Sequence, residues 1–394
     1  MDDRELSRRH FLRVAGLSGS AVVGTPALGM VAAACAPSAA SLTPAGGASP
    51  APQAQGKAQW EEDWEKLIDA AKKEGKVVVM TLAGEGYRKQ AAEFEAAFPG
   101  IVAEHSGMFA RDWAPRVLQE RKAGLYAWDV AGPPTITAFG SLFPENVFDP
   151  IRPVIFRPDV LGDQNWQGGF EFGFADTDKK WVFGYSWNLE GGYYVNTNLV
   201  KEGEIKGFKD LLDAKWKGKI AIADPRTGGA SATPLAVAVL KHGEGAIKQF
   251  FEEQAPVLFR EPRQGAEQVV RGQVAVAIGT TEPVMTEFRT QGLTNMRRLF
   301  PDDFSFLFQD VVWLMNRAPH PNAAKLYINW LLSKQGQEAY AKNVAQNSRR
   351  KDVTPVDQST LPPEGADKRF QDMLRQDRYP ESERIRELTR QLLK

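Results

Sequence analysis

Residues 64–100 read WEKLIDAAKKEGKVVVMTLAGEGYRKQAAEFEAAFPG, and this run decides the fold class. Trp60, Trp64, Leu67, Ile68 and Ala71 recur at helical spacing, and Gly75 is placed to stop that helix. Lys76 to Leu82 is a short apolar run, expected as a buried parallel strand. Ala83-Gly84-Glu85-Gly86 then makes a tight loop, Tyr87 to Phe98 a second helix, and Pro99-Gly100 its end. A strand near Ile101 to His105, a helix around Pro115 to Ala123 and Asp129-Val130-Ala131 continue the alternation. Strands and helices trading places at this interval predict an α/β fold with helices on both faces of a sheet.

The pattern pauses between Ser141 and Asp178 and resumes with strands at Trp181 to Tyr185 and Gly192 to Val195. A second α/β stretch follows, with a helix at Phe208 to Ala214 and a strand at Lys219 to Ala223. Helices at Thr233 to His242, Gly245 to Glu253 and Gly265 to Gly272 lead to a strand at Val274 to Ile278. Asp310 to Met315 is another strand, and helices Pro321 to Leu332 and Gly336 to Asn343 complete the pattern. Two such stretches predict two lobes and a cleft, with 60–185 and 306–350 in the first lobe and 186–305 in the second. Residues 351–394 are expected as a helical extension with surface helices. Ligands of open α/β sheets sit outside the carboxyl ends of strands, so the loops there can converge on one cleft.

Ahead of the folded body lies a different kind of sequence. Ser7-Arg8-Arg9-His10-Phe11-Leu12-Arg13 precedes a weakly apolar stretch rich in glycine, which marks residues 1–34 as a twin-arginine export signal. Cys35, the only cysteine, follows Ala32-Ala33-Ala34, small residues that resemble the lipobox of bacterial lipoproteins. Lipidation of Cys35 is favoured over ordinary cleavage that leaves it idle, although Ala32 stands where Leu or Val is common. Residues 36–59 are mostly Ala, Pro, Ser, Gly, Gln and Thr, a composition that cannot offset ordering entropy, so with Cys35 they form a tether. This places the protein on the outer face of the cytoplasmic membrane or in the periplasm.

Several function classes drop out on composition. With 49 basic and 49 acidic residues in 394, the formal charge is zero and gives no general case for nucleic-acid binding. One cysteine and four histidines leave no cysteine-based zinc site, iron–sulfur cluster or internal disulfide. No dinucleotide G-x-G-x-x-G follows a strand and no G-x-S-x-G elbow occurs, so an exported enzyme is the competing class without a visible cofactor or nucleophile. A scaffold or adhesin is a third class, which would take no small ligand. No cofactor and no metal site are expected.

Five stretches carry a family resemblance: WEKLIDAAKKEGKVVVMTL, ERKAGLYAWDV, YYVNTNLV, FKDLLDAKWKGKIAIADPRTGGAS and NWLLSKQGQEAYAKN. Across about Trp60 to Val353 the chain resembles the extracellular solute-binding proteins of bacterial ABC importers, in the branch with ferric-iron, thiamine and phosphonate binders. The resemblance implies a two-lobed type II periplasmic-binding fold and a monomer. It also implies a small-molecule solute captured between the lobes and delivered to an ABC permease. The twin-arginine translocase would be a partner during export.

The residues themselves suggest where a solute would sit. Asp224-Pro225-Arg226-Thr227-Gly228-Gly229-Ala230-Ser231 joins a strand to a helix. Its glycines let N–H groups approach a ligand, the helix start favours an anion, and Arg226 and Ser231 can add bonds. An equally simple reading is a capped turn with Arg226 solvated. Thr280 and Thr281 could bond a ligand or cap the helix that Glu282 opens. Gly84 and Glu85, Arg111 beside Trp113, Thr135, and Asn188 beside Trp187 are further candidates, each of which could instead serve a turn or packing. His105 and His242 read as ordinary half-buried residues, and Ser348-Arg349-Arg350-Lys351 as a solvated basic face or the source of one cleft arginine. The expected solute is small and anionic, such as an organic acid or phosphonate. Ferric iron is the alternative, but no tyrosine stands between Tyr194 and Tyr327 to match the adjacent iron-binding tyrosines of the ferric branch. Tyr193 and Tyr194 in one strand point to opposite faces.

Overall fold

The computed structural model describes residues 58–226 and 229–393. The export signal, Cys35 and most of the tether lie outside the described residues, as do Thr227 and Gly228. Among the described residues thirteen strands run in chain order: β1 (Lys76–Thr81), β2 (Val102–Gly107), β3 (Val130–Ala131), β4 (Phe148–Asp149), β5 (Val182–Gly184), β6 (Asn188–Gly191) and β7 (Tyr193–Asn196). They continue as β8 (Ile220–Ala223), β9 (Val257–Phe259), β10 (Val276–Ile278), β11 (Met296–Leu299), β12 (Ser305–Phe308) and β13 (Val311–Met315).

The KVVVMT run forms β1, parallel to β2 and β3 in a sheet ordered β2-β1-β3-β13-β4, with β5 also paired to β13. Val77 and Val79 point into one core with Phe94, Tyr327 and Trp330, while Met80 lies in another with Trp113 and Trp313. That alternation is why the run is apolar throughout: both faces of the strand are covered. The second sheet is ordered β11-β7-β10-β8-β9, with β8 parallel to β9 and β10. Its two faces are likewise covered, one core holding Tyr193 and the other Tyr194.

The chain crosses between the sheets twice, and the crossings pair as the antiparallel ribbon β6–β12. Gly191 and Gly192 turn β6 into β7 with φ of 79° and 63°, a region that L side chains rarely adopt. A Cβ on Gly192 would also collide with the Leu299 carbonyl oxygen. Beside the ribbon, the Tyr185 N–H donates to the Asp310 carbonyl (2.9 Å) and the Asp310 N–H donates to Ser186 Oγ (2.6 Å). The Asp310 carboxylate accepts from the hydroxyls of Tyr87 (2.7 Å) and Tyr340 (2.6 Å).

Some expected elements differ. Residues 208–216 form two 3₁₀ turns rather than one helix, because Asp213 is extended (φ −64°, ψ 131°) and accepts from the Lys215 N–H to start the second turn. Strands β4, β6, β9, β11 and β12 are additional; they are short, and pairing across long sequence separations forms them. Arg349 and Arg350 are neither a solvated face nor cleft residues. Arg349 is fully buried against Trp166 and Phe183 and donates to the carbonyls of Gly184, Gln167 and Gly169, while Arg350 bonds Asp352. The extension is helical only in part, at Ala366–Arg369 and Tyr379–Leu392 among the described residues. It has one four-turn helix, Tyr379–Leu392, and buries Phe370, Met373, Ile385 and Leu388.

Removing the Asp310 carboxylate leaves two buried tyrosine hydroxyls without an acceptor. Asp310→Ala should therefore lose about 3–5 kcal/mol in urea unfolding, and Asp310→Asn, which keeps an acceptor, about half as much or less. Burial pushes the Asp372 carboxyl up to about 6, against the weaker pull of the Leu374 N–H and Arg375. A raised acid contributes stability below its ordinary value and loses it as pH climbs through about 6. Asp372→Asn should thus match the wild type near pH 4 and exceed it by about 2–3 kcal/mol at pH 7.5, as urea midpoints at the two pH values would measure.

Candidate functional site

β8 and β10 run parallel and end side by side, and each is followed by a helix whose first turn faces the same space. Helix Gly229–His242 presents Ala230 and Thr233; helix Glu282–Thr290 opens with Thr281 as its N-cap and presents Glu282 and Thr286. These positions line a cavity of about 810 Å³. The opposite wall comes from the first sheet's side: Pro134 and Ile136 after β3, and Val344, Ala345 and Gln346 at the end of helix Lys334–Val344. The ribbon supplies Glu190, Phe306 and Phe308 between them. Helix starts carry positive dipole ends, so this wall of the second lobe favours an anionic group.

Glu190, Glu282 and Arg298 form one linked cluster in the cavity, while Asp357, which also lines it, stands apart and accepts from Ser359 and Thr360. Glu282 accepts from the Tyr194 hydroxyl and from Arg289, and lies 3.9 Å from Arg298. Arg298 donates to Glu190 (2.9 Å) and to the Gly191 carbonyl (3.3 Å), and its guanidinium stacks over Phe300. Its side chain is 9% exposed, and its Nε has no partner among the described residues. Burial opposes the charge on Arg298, but Glu190, Tyr194 and Glu282 outweigh that and hold it above its ordinary value. Burial pushes the Tyr194 hydroxyl up, so it remains a donor.

Of the residues expected from sequence, Thr280, Thr281 and Glu282 line the cavity. Gly229 begins the helix whose next residue does, but Ser231 is buried and donates to the Ala223 carbonyl (2.6 Å). Arg226 is outside the lining. Its guanidinium is held by both oxygens of Asp224 (2.8 and 2.7 Å) and donates to the Leu393 carbonyl, so the cation expected to meet a ligand is already paired. Thr227 and Gly228 lie outside the described residues. Thr135 is buried between the two lining residues Pro134 and Ile136. Asn188 is buried in the ribbon, where its Oδ1 accepts from the Asn347 N–H (3.2 Å) and Thr360 (3.3 Å). Gly84 and Glu85 lie apart from the cavity, with Glu85 paired to exposed Arg88. Arg111 is exposed over Phe109 and near Asp112, and Trp113 is wholly buried against Trp128.

His105 bonds Thr81 (2.7 Å) and His242 bonds Asp303 (2.8 Å), both as half-buried structural groups. Among the described residues no group of three or more His, Cys, Asp or Glu is placed to hold a metal ion. Sequence reasoning missed Glu190, Arg298, Met373 and Leu374. Arg297-Arg298 is visible as a pair of cations, but only the pairing of β11 with β7, which sets Arg298 opposite Tyr194, turns one of them inward.

Residues 194–343 match the sequence profile of the bacterial extracellular solute-binding protein family. An uncharacterized protein of Haemophilus influenzae is 29% identical over 154 residues, 37% of this chain and 44% of that relative, so the match spans less than half of the relative's length. The fold superposes on iron-bound HitA from Pseudomonas aeruginosa with a TM-score of 0.62 at 16% identity, covering 80% of this chain and 99% of that one. It also superposes on the periplasmic binding protein AfuA from Actinobacillus pleuropneumoniae, with fructose-6-phosphate bound, at a TM-score of 0.55 and 20% identity over 79% and 97% of the two chains. The resemblance read from the sequence holds: the chain has the two-lobed type II periplasmic-binding fold, and residues 194–343 carry the sequence of the bacterial extracellular solute-binding proteins.

Proposed function

We propose that this protein is the solute receptor of an ABC importer, closing its lobes on a small organic solute with an acidic group and presenting it to a membrane permease. Residues 60–185 and 306–350 act as one jaw and 186–305 as the other. The observation that carries this reading is the cavity of about 810 Å³ between the two sheets, with two helix starts on one wall and apolar side chains on the other. Its volume lies within the range of sites for organic ligands and far exceeds one ion. The acid would meet Thr280, Thr281 and the guanidinium of Arg298, in exchange for one of its present partners; the apolar remainder would lie along Ile136, Phe306 and Phe308. A ferric complex bound through an organic acid would present the same oxygens. No bond is made or broken; the solute stabilises the closed state by contacts made only there.

The same reading places the body outside the cytoplasm, exported through the Arg8-Arg9 signal and tethered by lipid on Cys35. Among the described residues no helix is long and apolar enough to cross a membrane. Cys35→Ser should then move the protein from the membrane fraction to the soluble fraction and abolish lipid labelling; retention on the membrane with undiminished labelling would refute the anchor.

Thermal-shift screening with organic acids, phosphonates, ferric citrate, thiamine and polyamines tests the solute class. An acid present at 100 times its Kd should add about 2.7 kcal/mol of stability, and Arg298→Leu should weaken its binding about tenfold or more. Stabilisation by polyamines alone would overturn the acidic assignment, and stabilisation by none would overturn the receptor reading.

A further inference from the structure

After helix Lys334–Val344 the chain does not leave the body but returns across it. The Leu189 N–H on β6 donates to the Thr360 carbonyl (2.7 Å), and the Leu307 N–H on β12 donates to the Gln371 carbonyl (3.0 Å). The segment therefore lies along the ribbon that joins the lobes. It next touches the first lobe: the Gln376 N–H donates to the Ala175 carbonyl (2.8 Å), and the N–H and hydroxyl of Thr177 donate to the Gln376 side chain (3.0 and 3.1 Å). Tyr379 packs on the first lobe's core, close enough that a Cβ on Gly140 would come within 2.6 Å of its hydroxyl. Helix Tyr379–Leu392 then packs on the second lobe, burying Ile385 and Leu388 and pairing Arg384 with Glu244 (2.7 Å). Between these anchors Asp357, Thr360, Met373, Leu374 and Ser382 line the cavity.

The two attachments differ in kind. On the second lobe the segment buries apolar side chains in the core and joins the ribbon by backbone bonds. On the first lobe it holds where it begins, through part-buried bonds between Asn347 and Asp357 (2.7 and 2.9 Å), and farther on by the Tyr379 contact and the bonds around Gln376, those of Thr177 being solvent-exposed. Exposed hydrogen bonds contribute little net free energy, so the contact at Gln376 is the one that yields. We infer that residues 357–393 form a strap fixed to the second lobe, which limits how far the first lobe can swing away and, through Met373 and Leu374, supplies the apolar wall that selects the solute. The second half of this inference rests on the cavity being the solute site; the first half does not.

The test uses the full chain carrying Cys35→Ser, spin-labelled at Lys122→Cys in the first lobe and Lys248→Cys in the second. Adding Gln376→Ala with Thr177→Val should give the interlabel distance distribution a longer second population with no solute present. Thr177→Val alone removes one exposed hydroxyl, leaves the fold intact, and should shift the distribution in the same direction by less. Distributions unchanged in both variants would overturn the strap. The apolar fluorophore 1-anilinonaphthalene-8-sulfonate probes the wall: it should leave the Gln376→Ala, Thr177→Val protein about tenfold faster, and Leu374→Ala should change its affinity without changing the distances. A fluorophore indifferent to Leu374→Ala would overturn the wall assignment. A solute screen that finds nothing defeats the transport reading but leaves the distance measurement standing.

Discussion

One buried carboxylate ties together the two places where the chain crosses between the sheets. Asp310 stands where the chain re-enters the first lobe, and its backbone is bonded to Tyr185 and Ser186, where the chain leaves it. Its side chain holds Tyr87, in the first turn of helix Glu85–Ala97, and Tyr340, in helix Lys334–Val344. Those two helices pack so closely that a Cβ on Gly86 would strike the Asn343 backbone. Burial raises the carboxyl, and the two hydroxyls offset part of that cost by bonding the ionised form. Both crossings thus have a common footing beside the first sheet.

From that footing the architecture follows in steps. The ribbon ends in Gly191 and Gly192, whose positive φ turns the chain into β7, and β7 sets Tyr193 and Tyr194 on opposite faces of the second sheet. Tyr194 then meets Glu282 at the start of a helix, and Arg298, paired opposite on β11, reaches back to Glu190 on the ribbon. A hinge residue and a cavity residue are therefore joined through one guanidinium. Under the proposed closure, movement of the ribbon would reach the cavity through that bond directly.

What the sequence made legible was whatever local chemistry dictates. KVVVMTL reads as a strand covered on both faces because its apolar residues do not alternate, and the loop after Ile278 reads as a site because hydroxyls precede a helix start. Distant pairing was not legible. Arg226 pairs locally with Asp224, two residues away, but the Leu393 carbonyl that also claims it is 167 residues on, beyond what the local sequence shows. Arg298 drew no notice in the sequence because its inward turn depends on β7, about a hundred residues earlier. The last segment looked like surface because its apolar residues are sparse; they are buried one at a time, against two different lobes.

The charges in the cavity bear on how it behaves when vacant. Glu190 and Glu282 face Arg289 and Arg298, so formal charges inside the cluster cancel before any solute arrives. A pocket with an unbalanced buried cation would strain the unliganded protein and draw in any stray anion from the medium. Here the cluster neutralises itself and Asp357 adds a further carboxylate to the lining, so on the proposed reading an acidic newcomer must trade places with an existing partner of Arg298 rather than fill a void of charge. Discrimination would then come from shape and from the exchange of bonds.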